Sequence, residues 1–173
     1  MREIDLLPLV IQTDSAEGTR NVGEAIGTLA RPGDVVLLSG DLGAGKTQLV
    51  KGIAQALGVP EPVTSPTFNI MLVHEGRIRL YHVDLYRLEH ADELEDIDYF
   101  GTLEADGVVA VEWGDRFPEA APPDHLLVEL HICGDAEREI KVAALGEKAA
   151  RLMAGLESAV RGLAGAWIVG ESA

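Results

Sequence analysis

The sequence predicts an α/β fold in which helices flank a mixed, mostly parallel sheet, with antiparallel hairpins in its second half. In the first half, strand-like apolar runs alternate with amphipathic helical patterns, an order typical of parallel strands joined by helices. In the second half, strand-like runs follow one another across short turns, which favours antiparallel pairing. The chain has 173 residues, 47% of them hydrophobic, and is long enough to bury a core of its own.

The elements of the first half follow in order from the N-terminus. Residues 1–12 are expected to be a short extended lead-in. The segment TDSAEGTRNVGEAIGTLARPG then begins with capping residues and carries Val22, Ile26 and Leu29 at helical spacing. It ends before Pro32, so we predict a helix that stops there.

A buried strand and a second helix come next. DVVLLS, residues 34–39, is a continuous apolar run bounded by turn signals, as expected for a strand covered on both faces. KTQLVKGIAQALG then places Leu49, Ile53 and Leu57 on one helical face, and Gly58 is its stop signal.

The second half begins with a proline-rich loop, residues 60–66. FNIMLVHEGRIRLYHVDLY, residues 68–86, reads as a hairpin that turns at His74–Gly76. The acidic segment LEHADELEDIDYF is helix-prone, and GVVAVEWG is another buried strand. Residues 125–132 and 138–145 are predicted to form a final hairpin with Gly134–Asp135 in its turn.

Charge and cysteine content restrict the classes of function. The formal net charge is −15 and no Lys/Arg cluster stands out, so tight direct binding of nucleic acid or of an anionic membrane is disfavoured. The single cysteine, Cys133, is expected to be a buried strand residue. No secretory signal and no bilayer-spanning stretch is visible, so we expect a cytoplasmic protein.

The segment GDLGAGKT, residues 40–47, matches the phosphate-loop pattern G-x-x-x-x-G-K-[ST] in full. Glycines permit a tight backbone whose N–H groups wrap an anion, and the following helix adds its positive end. Lys46 is predicted to reach the β- and γ-phosphates, and the Thr47 hydroxyl to ligate Mg²⁺. The strand before the loop and the helix after it supply the context that a P-loop NTPase fold requires.

Two acids follow apolar strand segments: Asp84 after LYHV and Glu112 after VVAV. Acids at the carboxyl ends of sheet strands face the ligand crevice of such folds, so both are candidates for holding a metal ion and orienting water. The loop Thr64–Thr67 has two interpretations that the sequence leaves open. In the first, its hydroxyls contact the γ-phosphate or metal-bound water. In the second, it is only a proline turn that leads into the hairpin.

Four segments together carry a resemblance: GDLGAGKT, VTSPTF (63–68), YHVDLYRL (81–88) and VEWGD (111–115). In this order they resemble the TsaE (YjeE) family over roughly residues 13–145. The resemblance implies an ATPase with ATP and Mg²⁺ as cofactors that acts in tRNA N6-threonylcarbamoyladenosine (t6A) biosynthesis. It also implies that the TsaB–TsaD heterodimer is the partner, and that tRNA is met only through that complex.

The resemblance also suggests roles for individual residues. Lys46, Asp84 and Glu112 are the predicted catalytic residues, and Thr47, Glu112 and Asp84 the predicted metal ligands, with Asp84 as general base or as contact of metal-bound water. The predicted nucleotide contacts are Asp41, Leu42, Gly43, Ala44, Gly45, Lys46, Thr47, Gln48 and Arg138. Arg138 aligns with a family arginine near the nucleotide, although a solvated hairpin arginine fits the sequence equally well.

Several features lie at the margin of the resemblance. The resemblance implies that residues 14–19 correspond to a family segment that lies near the adenine of the nucleotide. Trp113 adjoins Glu112, and packing at the end of the strand is its simpler role. The ATPase domain is expected to span residues 1–145. Residues 146–173 are expected to extend the same domain as a helix that then frays; Leu152, Leu156 and Val160 stand near helical spacing there.

Three other functions compete with an ATPase. A small GTPase would need an Asn-Lys-x-Asp motif, which the sequence lacks. A small-molecule kinase would need an arginine-bearing lid, and Arg87 and Arg116 are scattered instead. In a nucleotide-gated scaffold, binding of the nucleotide rather than its hydrolysis would control assembly with a partner. Such a protein would use the same phosphate loop, so the sequence does not separate it from an ATPase.

Overall fold

The computed structural model describes residues 7–66 and 69–170. It confirms the predicted α/β class and the mixed sheet. The strands are β1 (Leu9–Thr13), β2 (Val35–Ser39), β3 (Met71–His74), β4 (Leu80–Asp84), β5 (Val108–Glu112), β6 (His125–Ile132), β7 (Arg138–Leu145) and β8 (Ala166–Ile168). The helices are α1 (Ala16–Leu29), α2 (Lys46–Ala56), α3 (Glu93–Asp96), α4 (Tyr99–Leu103) and α5 (Glu147–Val160), with a 3-10 turn at Pro118–Ala120.

In the part of the chain that is described, the strands form one sheet in the order β3-β4-β5-β2-β6-β7-β1-β8. The central strands β4, β5, β2 and β6 run parallel to one another. The outer pairs are antiparallel, including the predicted hairpins β3–β4 and β6–β7. Because β2, β4 and β5 are parallel, their carboxyl ends meet at the same edge of the sheet, where the candidate site lies.

Alternate residues of the strands supply two apolar layers. Val36 and Leu38 of β2 pack in the larger cluster with α1, α2 and α5, whereas Val35 and Leu37 pack in the smaller one with α3 and α4. Strand β2 is therefore buried on both faces, as its continuous apolar run predicted. Helix α1 begins at the predicted cap, where the Ser15 hydroxyl accepts a hydrogen bond from the Gly18 N–H at 3.0 Å.

The structure corrects two expectations, for Cys133 and for the tail, and adds detail to a third, for the acidic segment. Cys133 is exposed and lies just past the end of β6, so it is not a buried strand residue. The acidic segment is helical as expected, in two short helices that are separated at Asp98, which has a φ of 53°. The tail does not simply fray after α5, because Ala166–Ile168 pairs with β1. Residues 1–6, Thr67, Phe68 and residues 171–173 lie outside the described residues.

Among the described helices, none combines the length and the apolar character needed to cross a lipid bilayer.

Candidate functional site

A cleft of about 510 Å³ opens where the phosphate loop, β4 and β5 meet. Its lining combines the loop with groups from three other segments of the chain. The lining residues are Leu42, Gly43, Gly45, Lys46, Thr47, Gln48, Ser65, Pro66, Asp84, Tyr86, Arg87, Glu112 and Trp113. The parallel sheet thus brings together residues that are far apart in sequence.

The backbone of the loop requires its glycines. Gly45 caps α2 with a φ of 106°, in the left-handed region that side chains disfavour. A Cβ on Gly40 would lie 2.5 Å from the carbonyl oxygen of Leu130, so β6 packs directly against the start of the loop. Helix α2 begins immediately after Gly45 and directs its unpaired N–H groups toward the loop.

Lys46 lies buried at the floor of this loop. Its Nζ donates hydrogen bonds to the carbonyl oxygens of Gly40 and Asp41 at 2.6 and 3.0 Å. Burial lowers the pKa of Lys46, and the nearby carboxylates of Glu112 and Asp84 oppose that shift. Within the described residues no carboxylate forms an ion pair with this ammonium, so its charge is available to an anion in the cleft.

Thr47 and Glu112 join the loop to the end of β5. The Thr47 hydroxyl donates a hydrogen bond to Glu112 Oε1 at 2.8 Å. Glu112 Oε2 lies 2.5 Å from His82 Nε2, and both side chains of that pair are almost fully buried. A hydroxyl and a carboxylate placed side by side are the hard oxygen ligands that Mg²⁺ prefers.

Asp84 ends β4 directly opposite Glu112 in the parallel register. Its Oδ2 accepts a hydrogen bond from the Ser65 hydroxyl at 2.8 Å, and its Oδ1 accepts one from the Tyr86 N–H at 2.9 Å. Asp84 therefore connects the loop that contains Ser65 to the cleft. Thr64 is exposed, and Thr67 lies outside the described residues.

Two aromatic side chains border the cleft beside the lysine. Lys46 Nζ lies 4.1 Å from the centroid of the Trp113 ring, within range of a cation–π contact. The Tyr86 ring packs against Trp113 with 4.9 Å between centroids. Trp113 has a φ of 57°, a conformation that a non-glycine residue rarely adopts. The Trp113 ring thus packs between the Tyr86 ring and the Lys46 ammonium.

Arg138 contacts the loop from the hairpin side, and its contacts are to backbone rather than solvent alone. Its Nε donates to the Ala44 carbonyl oxygen at 3.0 Å, and its Nη2 donates to that of Gly43 at 3.1 Å. Nη1 donates to the carbonyl oxygen of Glu137 at 2.8 Å and to that of Gly134 at 3.0 Å. The guanidinium thus fixes the outer turn of the loop to the β6–β7 hairpin.

The predicted site residues fall into two groups. Most line the cleft, whereas Asp41 and Ala44 of the loop and Arg138 of β7 are not part of its lining. In the 14–19 segment, the methyl carbon of Thr19 lies 3.5 Å from the place that a Cβ on Gly45 would occupy.

Sequence reasoning missed two residues of the site, His82 and Tyr86. The signal for His82 was its position two residues before Asp84, because alternate residues of a strand point to the same face. Tyr86 stood in the YHVDLYRL segment, but its contact with Trp113 depends on how two strands pair. Neither contact is local in sequence.

A glycine loop between a buried strand and a helix, with acids at the ends of two adjacent parallel strands, defines the P-loop NTPase fold class. A family model described as "Threonylcarbamoyl adenosine biosynthesis protein TsaE" matches residues 13–140. The chain belongs to the TsaE family.

Individual relatives agree with that assignment. A protein from Treponema pallidum named tRNA threonylcarbamoyladenosine biosynthesis protein TsaE is 42% identical over 129 residues, covering 75% of this chain and 96% of its own. The protein of that name from Bacillus subtilis is 41% identical over 138 residues, covering 79% and 86%. The crystal structure of Bacillus subtilis YdiB is similar with a TM-score of 0.71 and 35% identity, covering 87% of this chain and 95% of that one.

Proposed function

We propose that this protein is a Mg²⁺-dependent ATPase of t6A biosynthesis, which binds and hydrolyses ATP to support turnover of the TsaB–TsaD complex. The observation that carries the nucleotide part is the buried Lys46 ammonium, held between loop carbonyl oxygens and paired with no carboxylate in the described chain. A buried charge without a counter-ion is costly, so a bound anion stabilises it. The glycine loop around it offers the N–H groups that a phosphate needs.

The residues of the loop divide the work of holding a triphosphate. The loop backbone from Gly43 to Thr47 and the N-terminus of α2 supply hydrogen-bond donors and positive potential. Lys46 supplies the charge, and Arg138 holds the loop in shape through the carbonyl oxygens of Gly43 and Ala44. The Trp113 ring lies beside the ammonium, and the Tyr86 ring packs against Trp113.

The acids of the cleft fit a magnesium ion. Thr47 and Glu112 would hold the ion directly, and Asp84 would hold it through water, because Mg²⁺ usually keeps several of its waters. When bound, the ion neutralises charge on the phosphate oxygens. Asp84 accepts hydrogen bonds on both of its oxygens, and it is the candidate to orient the attacking water or accept its proton.

Membership of the TsaE family supports the biological half of the proposal. The descriptions of the family model and of the relatives name threonylcarbamoyladenosine biosynthesis, and we infer the same role for this chain. The net charge of −15 fits a subunit that leaves tRNA binding to its partners. A cytoplasmic location is part of the same proposal.

Equilibrium binding of fluorescent ATP and GTP analogues, with and without Mg²⁺, tests the nucleotide part. We expect a preference for ATP, slow release of free phosphate by the isolated protein, and loss of about 10- to 100-fold in affinity for Lys46→Ala. Lys51→Ala is the matched control, since Lys51 lies on the same helix but does not line the cleft. Equal affinity of Lys46→Ala and wild type, or a clear preference for GTP, would overturn the proposal.

A further inference from the structure

His82 is a buried histidine that neither the phosphate-loop motif nor the acids at the strand ends account for. It lies in β4, between Leu72 of β3 and Ala110 of β5, and its side chain is completely shielded from solvent. Because Asp84 is the residue opposite Glu112, His82 is one pleat deeper on the same face of the sheet. A side chain at that diagonal position is long enough to reach Glu112 from below.

The two oxygens of Glu112 have different partners. Oε1 accepts the Thr47 hydroxyl at 2.8 Å, on the side of the phosphate loop. Oε2 contacts His82 Nε2 at 2.5 Å, on the side of the core. The carboxylate is therefore held through both oxygens, and rotation about the Cγ–Cδ bond would disturb both contacts.

The second ring nitrogen of His82 indicates how the proton is placed. Nδ1 is buried and has no hydrogen-bond partner in the described part of the chain. A proton on Nδ1 would be an unpaired buried donor, whereas a proton on Nε2 is shared with the carboxylate, so the network assigns the N–H to Nε2. His82 thus donates to Glu112 and leaves Oε1 beside Thr47 as the oxygen that faces the cleft.

We propose that His82 is a positioning residue for the metal site: its Nε2–H fixes the Glu112 carboxylate in the orientation that binds Mg²⁺ with Thr47. The inference rests on the proposed binding of Mg²⁺–nucleotide. It concerns only the metal, because the described contacts of His82 do not include the phosphate loop. Partners that orient a metal ligand typically change metal affinity by about 10- to 100-fold when they are removed.

The test measures two quantities: the Mg²⁺ concentration that gives half of the increase in affinity for a fluorescent ATP analogue, and the affinity for the same analogue in EDTA. His82→Leu removes the donor, His82→Gln places an amide N–H near the position of Nε2, and His82→Asn reaches only the position of Nδ1. His125→Leu is the matched control. His125 is also buried, but it begins β6 at the opposite edge of the sheet and bonds to the Pro122 carbonyl oxygen.

We expect the half-saturating Mg²⁺ concentration to rise about tenfold or more in His82→Leu and His82→Asn, with affinity in EDTA within about twofold of wild type. His82→Gln should restore most of the metal response, and His125→Leu should not change it. In a Glu112→Gln background, removal of His82 should have no further effect, because the histidine acts through that carboxylate.

Three results would overturn the inference. One is an unchanged Mg²⁺ response in folded His82→Leu, as judged by circular dichroism. If that variant does not fold, an identical Mg²⁺ response of the Gln and Asn variants has the same meaning. The third is the absence of any Mg²⁺ effect in the wild-type protein, which would contradict the proposed function as well. The first two results leave the Mg²⁺ effect of the wild-type protein intact, so they contradict only the role of His82.

Discussion

Arg138 and Lys46 stabilise the same loop from opposite sides. Lys46 bonds to the carbonyl oxygens of Gly40 and Asp41, and Arg138 bonds to those of Gly43 and Ala44. Four carbonyl oxygens of the loop therefore already have cationic donors as their partners. A phosphate that binds at the loop would be held by its N–H groups.

Arg138→Ala should weaken binding of the ATP analogue by about tenfold, with and without Mg²⁺, because two charged hydrogen bonds to the loop are lost. Arg138→Lys should not restore binding, since an ammonium does not reproduce the planar fork that spans two carbonyl oxygens. Lys141→Ala, on the same strand, is the control. Analogue binding unaltered in Arg138→Ala would show that the hairpin does not support the loop.

For single residues, the phosphate-loop motif predicts the roles that depend on neighbours in sequence and misses those that depend on distant partners. Lys46 and Thr47 were evident because the loop pattern carries their chemistry within a few residues. The role of His82 depends on a partner 30 residues away, which is set by the pairing of β4 with β5. For Arg138 the sequence leaves two interpretations open, and neither includes the contacts of the guanidinium with the loop backbone.

Helices α1 and α2 approach each other closely through glycines. A Cβ on Gly23 would lie 2.0 Å from the Leu49 carbonyl oxygen, and one on Gly52 would lie 2.0 Å from that of Arg20. Side chains at these positions would separate the helices. Because α2 begins at the phosphate loop, this packing also fixes the position of the loop.

Gly23→Ala should lower the free energy of unfolding by about 1–3 kcal/mol, because the obstacle is backbone that cannot move aside. Gly155→Ala on α5 should change it by less than about 1 kcal/mol, since the added carbon meets only the flexible end of Leu29 and helix propensity improves. Urea unfolding of both variants measures the difference. Equal stability of the two would contradict the packing account.

The tail is attached to the sheet by an ion pair. Arg151 Nη2 of α5 lies 2.7 and 2.6 Å from the two oxygens of Asp34, which is buried before β2.

Arg151→Met should lower the free energy of unfolding by about 2–3 kcal/mol, because a buried carboxylate loses its counter-ion. Arg161→Met removes an exposed pair with Glu157 and should cost less than about 1 kcal/mol. Thermal unfolding that ranks the two variants in the opposite order would contradict this.

Elements with a strong periodic pattern were predictable, and short ones were not. The spacing of Leu152, Leu156 and Val160 corresponds to α5, whose buried face packs in the larger cluster. Strand β8 has three residues and depends on its pairing with β1, so no local pattern indicates it. How the chain divides at residue 145 stays a prediction.

For the whole molecule, the dominant property is its negative charge. A net charge of −15 opposes association with the phosphates of tRNA, and this repulsion is strongest at low salt. We therefore expect no saturable tRNA binding by the isolated protein in a gel-shift assay, even at about 50 mM salt. Saturable binding at micromolar protein would mean that tRNA is met directly rather than through partners.

The most direct test of the proposed function is t6A formation in a reconstituted system, with purified TsaB–TsaD in limiting amount, tRNA and the threonylcarbamoyl donor. We expect repeated turnover that requires this protein and hydrolysable ATP, and that is lost with Lys46→Ala. Turnover that a non-hydrolysable ATP analogue supports equally well would favour a nucleotide-gated scaffold. Turnover that does not depend on this protein at all, although it binds ATP, would contradict the proposed function.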